Sequence, residues 1–474
     1  MMISLFSLFC LFLTLAVFSR LIYKLWLGPI RMQQKLQSQG LKGPSYKLLH
    51  GNTKEIISMR KEAIKAPCDL GQHDMFPRIL PHLNTWMKLY GNNFLIWIGN
   101  QPQIVVTEPE LVREILTDKE GVYRKIKPDM VSAMVESVDT MLQRWRYHEG
   151  KEIEVSKEFK LLTSDVISRT AFGSSYVEGK NIFDMMMKLT VLIAKNAFRI
   201  RLFGLEKIWR SKDDIESGKI EQSLHDSILS LVKKREDKVK SGESDNFGND
   251  FLGSLLKVHH DIDPKSRISV DNIVDECKVF YIAGHETTST LLSWTIFLLS
   301  IYTEWQEKAR DEVVQIFGRE KPTAEGIARL KILTMIVYEA LRLYSPVLHI
   351  TRRVHRTIKL GKYEIPANVQ VNIPTLAQHR NPEIWGKDAH MFKPERFAEG
   401  LANAANGNSM AFLPFAAGPR SCVGNNFAVN EAKITLSMIL QRYRLAHSPN
   451  YIHAPYQFLT IQPQHGIQII LHLL

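Results

Sequence analysis

From about residue 128 to about residue 345 the chain keeps a helical rhythm of apolar residues, and no other feature restricts its fold as strongly. A stretch that long exceeds any ordinary globular helix, so it divides into several helices within one body. Its surface-type break is KSGESDNFGND, residues 240–250, a polar loop. Composition does not change beyond that loop, so no domain boundary falls there. Strand signals lie outside the helical stretch. FLIWIGNQPQIVV (residues 94–106) reads as a hairpin turning at GNQP, and residues 352–373 form a strand-like zone with a Gly turn in KLGKYEIP. The tail YQFLTIQPQHGIQIILHLL alternates like a further hairpin. No internal repeat is present. The pattern predicts one large, mainly α domain with a small β lobe, an α+β arrangement.

The first nineteen residues, MMISLFSLFCLFLTLAVFS, carry no charge, and apolar character continues past Arg20 through Leu21, Ile22, Tyr23, Leu25 and Trp26. About 20 apolar residues suffice for one bilayer crossing. A cleaved signal peptide would need a basic start and small residues at a cleavage point, and neither is there. Arg20, Lys24, Arg31, Lys35 and Lys42 flank the segment without any acid, which places the remainder on the cytoplasmic side. The expected organisation is a transmembrane anchor over residues 1–27, a basic Pro/Gly tether over 28–44 and a catalytic body over 45–474. The net charge of +12 solvates a large surface and favours anionic lipid or an acidic partner. Zinc-finger and RNA-binding aromatic signatures are missing, so nucleic acid is not expected as a partner.

The four cysteines, Cys10, Cys68, Cys277 and Cys422, are scattered, which excludes a disulfide framework and a zinc site. Cys422 stands apart from the other three. Its loop, FAAGPRSCVGNNFA, has Gly418 and Gly424 for close backbone approach, and a helical run, NNFAVNEAKITLSMILQRY, starts just after it. A lone cysteine is most often a small core hydrophobe. Near a helix N-terminus, however, the dipole favours thiolate. A thiolate serves as nucleophile or metal ligand, and no histidine stands in a cysteine-hydrolase pattern. A single soft thiolate suits one axial position of a haem iron, with Arg420 able to pair a propionate.

Phe415, Gly418, Arg420, Cys422 and Gly424 meet F-x-x-G-x-R-x-C-x-G, and on that motif the chain resembles the cytochrome P450 family. The resemblance covers residues from about 45 to the end, plus the anchor. It implies the P450 fold, haem b with Cys422 as axial ligand, and a monooxygenase taking O2 and a hydrophobic small molecule. Electrons would come from NADPH through the flavin of NADPH–cytochrome P450 reductase. It also implies an endoplasmic reticulum membrane protein, single-pass, with its catalytic domain facing the cytosol. AQHRNPEIWG (residues 377–386) and the cysteine loop are similar to plant members of the non-A-type clan, which oxidise hormones and terpenoids.

AGHETT (residues 283–288) lies inside an apolar helix expected over about Val270–Leu299. On its own it reads equally as a kinked helix with a Thr hydroxyl bonded back to the i−4 carbonyl. The resemblance makes it the oxygen-activation motif, with Ala283 and Gly284 lining the groove and Glu286 and Thr287 delivering protons. Glu339 and Arg342 stand three apart on one helix face. With FKPERF (residues 392–397) they resemble a structural Glu–Arg–Arg network completed by Arg396. By the same resemblance one of Arg352 and Arg353, with Arg353 favoured, faces the second propionate, and His349 and Ile350 line the pocket.

One departure stands out. Family members carry a W-x-x-x-R segment before the first long helix, but LVREILTDKEGVYRKIK leads directly into PDMVSAMVESVDTML. The segment is expected to be missing near residues 124–130, with consequences for haem binding and turnover. Two other classes compete: a haem-thiolate isomerase or dehydratase needing no reductase, and a truncated haem-binding form. Oxygen uptake coupled to NADPH separates the first from a monooxygenase, and the ferrous–CO spectrum separates the second. Substrate identity does not follow from these residues.

Overall fold

The computed structural model describes residues 12, 14–20, 22–65, 67–71, 73–116, 128–173, 176–196, 211–248, 250–261, 263 and 267–474. The helices that position the site are α1 (Gly28–Ser38), α2 (Pro128–Trp145), α3 (Val155–Phe172), α4 (Lys212–Lys240), α5 (Val270–Ile301), α6 (Ile332–Leu343) and α7 (Asn425–Leu440). Local chemistry sets several of their ends. The Glu154 side chain accepts from the N–H groups of Ser156 and Lys157 to open α3, and Gly173, at φ +61°, closes it in the left-handed region. Ser211 and Asp214 form a reciprocal capping box on α4.

The C-terminal half of α5 is buried on every side, and Leu292, Trp294, Ile296, Phe297, Leu298 and Leu299 are fully buried. A helix of that kind must be enclosed. Helices α3, α6 and α7 all pack against α5. The approach of α3 is close: a Cβ on Gly284 would lie 2.4 Å from Ile167 Cδ1. Glycine there is a packing requirement between two helices.

The β lobe is a four-stranded sheet in the order β1–β2–β4–β3, with β1 Asn93–Ile98, β2 Gln101–Val106, β3 His349–Arg353 and β4 Gln370–Pro374. β1 and β2 are the hairpin expected at GNQP, with Phe94 opposite Val105. The β2–β4 pair is parallel, Ile104 opposite Val371, and joins remote parts of the chain. The Gly turn in KLGKYEIP forms a small hairpin of Ile358–Leu360 with Tyr363–Ile365, and Gly361 takes φ +53°. The tail behaves differently from a single hairpin. Pro455–Gln457 pairs with Ile461–Pro463, whereas Gln468–Leu473 pairs with Tyr443–His447 and Glu152–Glu154.

Residues 14–20 are helical, a π-helical turn follows over Tyr23–Leu27, and α1 continues from it. The expected transmembrane helix falls in part on residues outside the description, 1–11, 13 and 21. Among the described residues, no helix is long and apolar enough to cross a membrane. The segment expected as a tether is helical over Gly28–Ser38. Pro29 sits in the first turn, where its missing N–H costs nothing. Pro29 and Leu36 are buried and Met32 is partly packed, so an apolar stripe docks α1 on the β lobe. Lys35 pairs with Glu364 at 2.7 Å, and the Tyr46 hydroxyl donates to the Leu25 carbonyl at 2.6 Å. The expected missing segment adjoins residues 117–127, which lie outside the described residues.

Candidate active site

The cysteine loop is closed by its own backbone. Cys422 N–H donates to the Phe415 carbonyl at 2.8 Å, and Ala416 N–H donates to the Leu413 carbonyl at 3.1 Å. Gly418 takes φ +74°, and Ala416, at φ +57°, holds a left-handed conformation costly for an L side chain. A short 3-10 turn over Gly418–Arg420 then leads to Cys422, two residues before the Gly424 cap of α7. The result is an exposed thiol, with Val423 beside it 96% exposed. A Cβ on Gly424 would sit 3.8 Å from Cys422 Sγ, in ordinary van der Waals contact with the sulfur. Burial by the surrounding loop pushes the thiol pKa up, partly offset by the Gly424 backbone N–H.

Arg420 of the loop and Arg352 of β3 feel each other's charge. Burial lowers the Arg352 pKa, and the Arg420 charge lowers it further. Neither arginine makes an ion pair among the described residues; Arg352 donates to the Thr351 carbonyl at 3.1 Å. Two cations that feel each other and make no ion pair suit an anionic ligand. Arg353, the expected partner, is exposed, and strand alternation turns it to the opposite face from Arg352. His349 accepts its place in the sheet through Asn372 at 3.2 Å, and burial pushes its pKa down to about 4.

Behind the loop lies a buried ion pair. Arg342 donates to Glu339 twice, Nε to Oε2 and Nη2 to Oε1, each at 2.7 Å, and both side chains are fully buried. Arg342 also donates to the carbonyls of His379, Ala389 and Met391. Arg396 Nε stands 3.6 Å from Glu339 Oε1, and its other nitrogens donate to the carbonyls of Trp385 and Asp388. Six residues of helix and extended loop are thus tied to one charge pair.

On α5, Thr287 Oγ1 donates back to the Ala283 carbonyl at 2.7 Å, while Ala283 itself is exposed. Gly284 points to Ile167 of α3 instead of an open groove. Glu286 is buried and faces the 455–463 hairpin: Oε1 accepts from Gln462 Nε2 at 2.7 Å and from Thr460 Oγ1 at 3.4 Å. Its Oε2 has no hydrogen-bond partner and lies 3.8 Å from His285 Nε2. Among the described residues, no hydrogen bond joins Glu286 to Thr287.

A profile of the cytochrome P450 family matches residues 120–470, most of the chain. The chain is a cytochrome P450. Cytochrome P450 CYP749A22 of Panax ginseng is 49% identical to it over 98% of this chain and 95% of the relative. The 11-oxo-beta-amyrin 30-oxidase of Glycyrrhiza uralensis is 40% identical over 95% of this chain and 94% of the relative. The 7-deoxyloganic acid hydroxylase of Catharanthus roseus is 36% identical over 98% and 97%. The activity is therefore that of a plant P450 monooxygenase, and the family implies a haem, O2, a substrate and a redox partner.

The residues of this P450 fit a haem. Cys422 is exposed at the head of its loop, and Arg420 and Arg352, neither in an ion pair among the described residues, offer charge to carboxylates. Sequence reasoning ranked Arg352 second to Arg353 and missed His379, Thr460 and Gln462. Strand alternation could have separated Arg352 from Arg353, but no local signal marks the other three, because their partners lie far along the chain.

Proposed function

We propose that this P450 hydroxylates a hydrophobic small molecule of the terpenoid or plant-hormone type. The apolar N-terminal segment anchors it in the endoplasmic reticulum membrane, single-pass, with the catalytic domain facing the cytosol. NADPH–cytochrome P450 reductase is its electron donor. Support for the substrate class comes from relatives named as a β-amyrin oxidase and a deoxyloganic acid hydroxylase. The observation that carries the reading is the exposed Cys422 in its closed loop, with Arg420 two residues before it and in no ion pair among the described residues.

Cys422 Sγ would hold the iron, and Arg420 with Arg352 would hold carboxylates of the porphyrin. The bound haem supplies O2 activation and oxygen insertion. Thr287 and Glu286 move protons: the Thr287 hydroxyl rests on the Ala283 carbonyl and is free to turn, and Gln462 steadies one oxygen of Glu286. Microsomes holding this P450 and the reductase, given terpenoid and hormone candidates, should yield a product one oxygen heavier by mass spectrometry. Cys422→Ser should abolish both the thiolate-type ferrous–CO Soret band and turnover. An unchanged pigment and rate in that variant would refute the reading.

A second reading has one observation in its favour. The alignment with the ginseng relative spans 500 positions, more than the 474 residues of this chain, so the relative carries residues this chain lacks. If one is the W-x-x-x-R segment, this form binds haem weakly. Restoring the segment from the relative should raise the yield of thiolate-ligated haem; equal yields would rule the reading out.

A further inference from the structure

We propose that His379 is the positioning residue that couples the Glu339–Arg342 ion pair to the cysteine loop. Three carbonyls receive Arg342, and among their residues only His379 passes the constraint on through its side chain. Arg342 Nη1 donates to the His379 carbonyl at 2.9 Å, and His379 Nε2 accepts the Leu413 N–H at 2.8 Å. The Leu413 carbonyl in turn accepts from Ala416, the residue held at φ +57°, and two residues after Leu413 the Phe415 carbonyl accepts the Cys422 N–H. A series of contacts thus runs from a buried charge pair, through one imidazole, to the amide of the cysteine.

The imidazole suits this task. It is fully buried and tilted over Phe412 at 5.5 Å between ring centroids. Accepting a backbone N–H requires a bare Nε2, so the ring carries its proton on Nδ1 and is neutral. Burial first, then the Arg342 charge, pushes its pKa down to about 3, and the acceptor persists through the working range. A buried backbone N–H almost always needs a partner, and Leu413 has no other acceptor among the described residues. Removing Nε2 frees the segment that presents the sulfur.

The inference takes its spectroscopic readout from the haem-thiolate function proposed above. Two variants separate the acceptor from the ring: His379→Phe keeps the ring and loses the nitrogen, and His379→Gln restores an acceptor. Haem-loaded wild type and H379Q should show the thiolate-type ferrous–CO Soret band. H379F should lower its ratio to the blue-shifted thiol-type band by about ten-fold at equal total haem, the effect of one orphaned buried amide. A wild-type ratio in H379F, or equal losses in both variants, overturns the proposal. If the wild type itself lacks the band, the haem-thiolate reading fails, and hydrogen exchange decides this one. The Leu413 amide should exchange slowly in the wild type; fast exchange there overturns the proposal, even if H379F does not fold.

Discussion

Arg342→Lys keeps the positive charge and removes the planar fork. Arg342 makes five hydrogen bonds, two to Glu339 and three to the carbonyls of His379, Ala389 and Met391. An ammonium has three donors at one point, so at least two buried acceptors go unmet. Each orphan costs about 1–3 kcal/mol, giving about 4 kcal/mol in the middle of the range. With an unfolding entropy of about 2.1 cal/mol/K per residue, that loss lowers the thermal midpoint of a 474-residue chain by about 4 °C. Circular dichroism melting of haem-loaded R342K beside the wild type measures the shift, and the ferrous–CO spectrum reports whether the cysteine loop follows. A midpoint within about 1 °C of the wild type, with full haem, would show that charge alone holds this region, contrary to the fork geometry.

Other substitutions probe separate parts of the molecule. Gly284→Ala puts a methyl 2.4 Å from Ile167 Cδ1; overpacking of about 1–3 kcal/mol should outweigh the helix gain of about 1 kcal/mol, and adding Ile167→Val should recover part of the melting temperature. A neutral G284A would mean that α3 and α5 do not meet tightly. Hydrogen bonds from Lys393 and then Arg396 hold Asp388 well below the usual carboxylate range. Its stabilisation is therefore present above the unfolded value near pH 4 and lost as pH falls through the lower folded value. The melting gap between wild type and Asp388→Asn should be widest near neutrality and close in acid; a constant gap from about pH 7 to about pH 3, read by the same melting assay, contradicts this. Burial pushes the Cys277 thiol up to about 12, so iodoacetamide should label exposed Cys422 of haem-free protein well before Cys277. Equal labelling rates by mass spectrometry would count against that burial.

What the chain declares in its own order is short-range. The α5 helix, the GNQP hairpin, the Glu339–Arg342 pair and the cysteine loop each depend on residues within a few turns or one tight loop, so periodicity, glycines and motif spacing display them. Adjacency in sequence does not mean a shared set of partners in space. Glu286 and Thr287 are neighbours on α5, yet successive helical residues point about 100° apart. One therefore meets Gln462 and the other its own helix. The apparent tether became a docked helix because its stripe of Pro29, Met32 and Leu36 found an apolar face made by distant strands. Tertiary structure alone chose Arg352 as the neighbour of Arg420, paired β2 with β4, and set the imidazole of His379 against Leu413. Buried polar groups take whichever partner folding brings within about 3 Å, and that partner leaves no mark in the local sequence.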